Sequence, residues 1–293
     1  MKIFLLTDEH GLRNDDQYLV DALESKGAKV VISDWEKEDL SGPCNVLIRT
    51  PWNYAEKITK FLTLITTVEK NGGKVLHDSK IIHWNSHKSY LTKCSEAVPT
   101  RVEKINQDTE LDYPVVIKPV YGAGGVNTYR VHNYNEYLKL SPHFGEEFLI
   151  QPYMEKIVSE GEYSFIFFQH HFSHAVLKKV HANEFRVQDT FGGTIERYVP
   201  KDSEIREVQK ILNSFPHRYE YARVDFIKVG DQIKLMELEV IEPELFFRTY
   251  TESAEVFSKN IIEYFFISQH LPYLYLQITF RNYYLHRLSK LFE

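Results

Sequence analysis

Two strand-like runs, YARVDFIKV and QIKLMELEV, flank Gly230-Asp231, and no other stretch constrains the fold as tightly. A short Gly-Asp turn between alternating runs marks a β-hairpin, so the chain must contain antiparallel sheet. Side chains alternate across a strand, which sets Glu237 and Glu239 on one face and Met236, Leu238 and Val240 on the other. Arg223 and Asp225 likewise share a face of the preceding run. Register decides whether these faces coincide. A two-residue loop sets Asp225 opposite Met236; a three-residue loop including Gln232, or an equivalent bulge, sets it opposite Glu237. The second register is expected. Three carboxylates then crowd one patch, where like charges about 5 Å apart at an effective dielectric of about 20 repel by about 3 kcal/mol per pair. Hard divalent cations turn such repulsion into binding, and Mg²⁺ bridging carboxylates to nucleotide phosphates is a common case. A solvated acidic face with Lys228 and Lys234 beside it is the plainer alternative.

VVIKPVYGAGGVNTYRV places Lys118 in an apolar strand, followed by a loop bearing Gly122, Gly124 and Gly125. No Gly-Lys-Ser/Thr and no helix follow, so this is not a Walker loop. Glycines let backbone N–H groups approach phosphate oxygens, and a strand lysine adds a point charge for the same group. Read alone, the residues also describe a glycine hairpin with a snorkelling lysine. Further on, a strand ends in Gln151-Pro152-Tyr153, with amide edges and a ring for adenine, and Glu162 could take ribose hydroxyls; a plain strand exit fits as well. His170, His171 and His174 lack the cysteines or tight histidine cluster of a zinc site and read as surface or packed residues.

The first 85 residues are organised differently. KIFLL, AKVVI, NVLIRT and KVLH are short apolar strands interleaved with helical periodicity over Asp15–Lys26, capped by Gly27, and over Ile58–Lys70. This alternation predicts a small, mostly parallel α/β layer. Ligands of such layers sit at the carboxyl ends of the strands, which makes Arg49-Thr50-Pro51-Trp52-Asn53-Tyr54 either a substrate loop or a rim loop whose rings pack. From Tyr113 the strands pair through short turns, with a helix over Asp202–Phe215, so an α+β unit is expected. Residues 256–293 read as an aromatic-rich helical tail, either docked on the core or offered to a homodimer or lipid surface.

A net charge of −6 without a Lys/Arg run leaves no footprint for a phosphate backbone and argues against a nucleic-acid partner. Cys44 and Cys94 are too few for a disulfide framework and read as reduced thiols of a cytoplasmic protein. Thr7-Asp8-Glu9-His10 cuts the apolar start short, so no signal peptide is expected. No stretch supplies the roughly 20 apolar residues of a transmembrane helix.

Taken in order, Lys88 in WNSHKSYL, VIKPVYGAGG, IQPYMEK with GEYS, RVD and MELEVIEP resemble the ATP-grasp superfamily. The likeness is greatest to its glutathione-synthetase-like and cyclo-ligase-like members, and it spans about residues 1–255. It implies a pre-ATP-grasp α/β domain over 1–85 and an ATP-grasp domain over 86–255, whose two α+β subdomains clamp ATP. It further implies Lys88 and Lys118 on the phosphates, with Gly122, Gly124 and Gly125 as a flap above them. Gln151 and Tyr153 would border adenine, and Glu162 would hold ribose. Asp225, Glu237 and Glu239 would hold two Mg²⁺ ions, with Mn²⁺ as an alternative. Arg223 would stabilise the transferred phosphoryl group, and Lys178 with the segment Arg186 to Gly193 would contact phosphate and acyl groups. Two positions depart from the pattern: Glu239 stands where Asn is frequent, and Glu244 where a small residue is expected. The implied reaction joins a small carboxylate to an amine, such as an amino acid or small peptide, through an acyl phosphate, releasing ADP and phosphate. A small-molecule kinase or phosphotransferase could use the same ATP site, as could a nucleotide-binding regulatory pseudoenzyme, although the latter would have no need of all three carboxylates.

Overall fold

The strand Lys2–Thr7 (β1) is apolar on both faces and is therefore covered on both. Ile3 and Leu5 join a core with Leu19 and Leu23 of α1 (Asn14–Ser25), while Phe4 and Leu6 join Phe61, Ile65 and Val68 of α2 (Ile58–Lys70). The computed structural model describes residues 1–267, except 182–183, 185 and 188–191. Part of the expected tail, 268–293, and the middle of the expected segment from Arg186 to Gly193 lie outside the described residues. With β2 (Lys29–Asp34), β3 (Asn45–Thr50) and β4 (Lys74–Val75), β1 forms a parallel sheet in the order β2-β1-β3-β4. This is the layer expected from the alternation of strands and helices.

Two antiparallel sheets follow. β5 (Arg101–Lys104), β6 (Val115–Pro119), β7 (Tyr129–Val131) and β8 (Glu147–Pro152) pair in the order β5-β8-β6-β7. β9 (Glu162–Phe168), β10 (His171–Lys179), β11 (Thr194–Tyr198), β12 (Tyr221–Val229) and β13 (Gln232–Glu239) pair in the order β11-β10-β9-β12-β13. The helices are α3 (Ser79–Ser86), α4 (Tyr134–Tyr137), α5 (Lys156–Glu160), α6 (Asp202–Ser214) and α7, which occupies 252–267. Helix α7 starts before the expected tail, and its Phe257, Ile261 and Phe265 are buried in the core. Among the described residues no helix is long and apolar enough to cross a membrane.

The register of β12 and β13 is reached through a bulge. Val229 pairs with Gln232, so Gly230-Asp231 is a two-residue turn, which by itself would oppose Asp225 to Met236. A shift between Asp225 and Phe226 skips one residue, and Asp225 comes to face Glu237 as expected. The same bulge corrects the expected placement of Met236. An extra residue breaks the strict alternation of faces, so Met236 lines the same cavity as Glu237 instead of turning away.

The parallel layer is welded to the rest. Its β1 and α1 share one core with Phe168 of β9, Tyr221 of β12, Leu245, Phe246, Phe247 and α7, where each fully buried Phe or Leu contributes about 1.5–3 kcal/mol. His77 forms a polar rivet in the same seam. Its Nδ1 donates to the Val240 carbonyl at 2.6 Å, and its Nε2 accepts from the Glu220 N–H at 2.9 Å, a pattern only the neutral ring provides. Burial pushes His77 down to about 4, against the pull of its bond to Val240, and likewise pushes His174 down to about 4. Their stabilising contribution is complete above the unfolded-state pKa of about 6.5 and is lost as pH falls towards 4. Urea unfolding should therefore show a loss of up to about 3 kcal/mol per histidine over that interval. His77→Gln should start from lower stability and show a shallower decline; an unchanged slope would contradict the assignment.

Candidate active site

A cavity of about 400 Å³ opens between the two antiparallel sheets. One wall is built by β6 and β8, which supply Val116, Lys118, Gln151 and Pro152, and by the loop carrying Gly122, Gly124 and Gly125. The other wall is built by Glu162 at the start of β9, Arg223 and Asp225 of β12, and Met236, Glu237 and Glu239 of β13. Lys88, from the short helical segment Lys88–Lys93, and Trp52, from the loop after β3, also line it. Gly124 and Gly125 adopt φ of 60° and 72°, so this loop uses the left-handed backbone that glycine adopts without strain.

The acidic wall is held together by cations. Arg223 donates to both carboxylate oxygens of Asp225 at 2.9–3.1 Å and also to Glu239, while its Nη1 reaches the Glu244 carbonyl at 3.2 Å. Ser164 of β9, wholly buried, donates to Asp225. Burial pushes Asp225 up, but Arg223, Lys178 and Ser164 outweigh it and hold the carboxyl down at about 2. Glu237 follows the same logic: burial is outweighed by Lys88, whose ammonium pairs with it, and by Lys118. Glu239 goes the other way, because burial together with Glu237 and Asp225 exceeds the help from Arg223 and raises it to about 7. Glu242, three residues on, is pushed up to about 8 by burial and then by Glu239. Burial pulls Lys118 down despite Glu237, and among the described ion pairs none includes this lysine. An unpaired ammonium facing a glycine-lined loop is a seat for an anion.

Asp225, Glu237 and Glu239 are hard oxygen donors on one wall, the donor chemistry that Mg²⁺ accepts. Among the described residues no three acidic or histidine side chains are gathered into a ready metal cage. Arg223 bridges two of the carboxylates and Lys88 holds the third, so a cation would enter by displacing these side chains.

The cavity collects Lys88, Lys118, Gly122, Gly124, Gly125, Gln151, Glu162, Arg186, Arg223, Asp225, Glu237 and Glu239 from the residues singled out in the sequence. Four placements differ. Lys178 lies behind the wall, pairing with Glu162 at 2.5 Å and with Asp225 at 3.5 Å, so it positions two site residues without lining the cavity. Tyr153 sits beyond the lining, held by an Arg130 guanidinium that donates to its hydroxyl, and Met154 lines the cavity instead. Within the RTPWNY loop only Trp52 lines the cavity. Tyr54 is buried, and Arg49, 1 % exposed, is consumed by Asp16 and the Pro243 carbonyl. Sequence reasoning missed Ser164 and Glu242. Glu242 was legible as the third acid of MELEVIEP, but Ser164 gave no signal, since its role depends on β9 lying beside β12.

The arrangement of two antiparallel sheets around this cavity, joined to a parallel α/β layer, is the fold of solved ATP-grasp proteins. D-cycloserine synthetase DcsG superposes with a TM-score of 0.77 at 21% identity, over 90% of this chain and 99% of that one. A RimK domain ATP-grasp protein from Sphaerobacter thermophilus gives 0.68 at 15% identity, over 89% and 100% of the two chains. The D-alanine–D-alanine ligase of Bacillus anthracis complexed with ATP gives 0.63 at 18%, over 90% and 96%. In sequence, residues 3–77 match the family model described as D-cycloserine synthetase DcsG, N-terminal domain. No curated protein matches the chain by sequence.

Gly161 holds the acidic wall in register. It sits at φ 88° and ψ −173°, a region essentially reserved for glycine, and a Cβ there would lie 2.4 Å from the Lys178 carbonyl. Gly161→Ala should destabilise the fold by about 2 kcal/mol and displace Glu162 and Lys178 together. Chemical denaturation checks the first effect; wild-type stability in the variant would contradict the constraint.

Proposed function

We propose that the protein is an ATP-dependent carboxylate–amine ligase that forms an amide bond through an acyl phosphate. The observation that carries this reading is the convergence of Lys88, Lys118 and the glycine loop with Asp225, Glu237 and Glu239 in one cavity. Lysines and backbone N–H groups suit a triphosphate, and the carboxylates suit the magnesium that accompanies it. The ATP-grasp fold supports the same reading, as do solved neighbours described as a D-alanine–D-alanine ligase and as the ATP-grasp ligase PsnB, the latter complexed with Mg and ADP. The apolar end of the cavity, with Val116, Met154, Ile157, Val187 and Met236, offers a slot for a purine.

Lys88, now paired with Glu237, would be free to meet a phosphate oxygen, leaving Glu237 among the residues that would hold the metal. Lys118 meets the phosphates directly. Mg²⁺ held by Asp225, Glu237 and Glu239 would neutralise charge on the phosphoryl oxygens. A substrate carboxylate oxygen attacks the γ-phosphorus and the β–γ bridging bond breaks, leaving ADP and an acyl phosphate. The amine nitrogen then attacks the acyl carbon, the carbon–oxygen bond to phosphate breaks, and the amine gives up a proton. Arg223, fixed by Asp225, Glu239 and the Glu244 carbonyl, faces charge that builds on the phosphoryl and tetrahedral oxygens. Ser164 and Lys178 hold Asp225 in place from behind. The glycine loop shields the acyl phosphate from water.

An ADP-release screen over pooled carboxylic acids and amines, with and without Mg²⁺, tests the reading. Ligation yields ADP, phosphate and an amide, whereas a stable phosphorylated product would make the protein a kinase. Removing Arg223 outright would leave Glu239 buried without its cation and Asp225 with only Lys178 and Ser164, so Arg223→Lys is the informative variant. It should reduce turnover by about 100-fold or more while changing nucleotide affinity by less than about threefold. Equal losses in both would contradict the assigned role. Glu237→Gln should weaken the apparent Mg²⁺ affinity along with the rate, and an unchanged Mg²⁺ titration would remove that residue from the metal site.

A further inference from the structure

Gln151 lines the cavity together with the apolar slot, and its neighbours decide which end of its amide the slot meets. Side chains alternate along β8, so Gln151 and Leu149 share a face, and they lie opposite Val116 and Lys118 of β6, both of which line the cavity. Gln151 is 2 % exposed, so an amide end without a partner is costly there. Its nitrogen has a partner: Nε2 donates to the Thr100 hydroxyl at 2.8 Å. That hydroxyl in turn donates to the Val98 carbonyl at 2.7 Å. A carbonyl can only accept, so the single hydroxyl proton is committed to Val98, and Thr100 offers Gln151 nothing but lone pairs. The amide must therefore turn its NH₂ to Thr100, since the opposite orientation would set two acceptors against each other. Val98 is fixed in its turn, because its N–H donates to the Leu235 carbonyl of β13 at 2.9 Å. Among the described residues no group bonds to Oε1 of Gln151, which leaves a side-chain acceptor at the slot.

We infer that Thr100 is a positioning residue for base selection: by holding the Gln151 amide in one orientation, it makes the slot prefer a purine with a 6-amino group over one with a 6-oxo group. The inference rests on the nucleotide site of the ligase reading. The 6-amino group of adenine donates, whereas the 6-oxo group of guanine or hypoxanthine accepts. An amino group completes the bond that Oε1 lacks. A 6-oxo group at the same place meets a fixed acceptor, and neither oxygen finds a proton. Thr100 does not itself line the cavity and acts through Gln151. The backbone bond from Val98 ties this orientation to β13, the strand that carries Glu237 and Glu239.

Calorimetric titration with the Mg²⁺ complexes of ATP and ITP tests this without any acid or amine substrate. The two nucleotides differ only at the 6-position and in the N1 proton that accompanies the oxo group. Wild-type protein should bind ATP more tightly than ITP by about 30-fold or more. Thr100→Val keeps the shape of the side chain, removes the hydroxyl and lets the amide turn its NH₂ to the base. ITP should then bind about tenfold more tightly than it does to wild-type protein, which brings the two nucleotides within about threefold of each other. A gain for ITP is an effect that loosened packing does not produce. Thr100→Ser, which keeps the hydroxyl, should retain the wild-type ratio. An unchanged ratio in Thr100→Val, whether or not both nucleotides weaken, would overturn the inference and leave the ligase reading standing. Equal binding of ATP and ITP by wild-type protein would do the same. Binding of neither nucleotide by wild-type protein would bring down the ligase reading and the inference together.

Discussion

Everything in this molecule turns on keeping a dense set of carboxylates neutralised inside a cavity. Asp225, Glu237 and Glu239 would repel one another strongly enough to oppose folding, but Arg223 bridges Asp225 and Glu239, Lys88 holds Glu237, and Lys178 backs Asp225. Arg223 comes from the same strand as Asp225, Lys88 from the link between layers, and Lys178 from β10. The balance is not uniform: Asp225 is held at about 2, while Glu239 rises to about 7. Removing one member of such a buried pair strands the other, at a cost of about 3–5 kcal/mol, so the network is a folding constraint as well as a chemical one.

The fold exists to bring these groups together. Strand β12 is the pivot, since it pairs with β13 on one side and β9 on the other, and so gathers Arg223, Asp225, Glu237 and Ser164 within one patch. The parallel layer completes the wall from behind. Asp15, at the start of α1, accepts from the N–H groups of Phe247 and Arg248. Arg49 of β3 donates to Asp16 and to the Pro243 carbonyl. The segment carrying Glu242 and Glu244 is therefore shaped by the first third of the chain, although the residues lie two hundred positions away in sequence.

Local signals made most of this legible. The hairpin at Gly230-Asp231, the glycine loop after Lys118 and the strand–helix alternation of the first 85 residues each depend on neighbours in sequence, and each element stands where its pattern puts it. The pairing of Asp225 with Glu237 was also foreseen, though it arises from a bulge and not from a longer turn. What escaped was non-local. The resemblance put Lys178 on phosphate and acyl groups, yet the neighbouring Glu162 draws its ammonium behind the wall. Arg49, expected in a substrate or rim loop, is buried by a segment nearly two hundred residues downstream. Ser164 bears no sequence mark, because its hydrogen bond follows from strand order alone.

The central claim is that the cations now neutralising the acidic wall give way to magnesium and phosphate when nucleotide enters. A crystal structure with Mg²⁺ and a non-hydrolysable ATP analogue tests it most directly. The account predicts that the Lys88–Glu237 pair is broken, with the ammonium on a phosphate oxygen and Glu237 on the metal. An intact Lys88–Glu237 pair beside a fully bound nucleotide would contradict it.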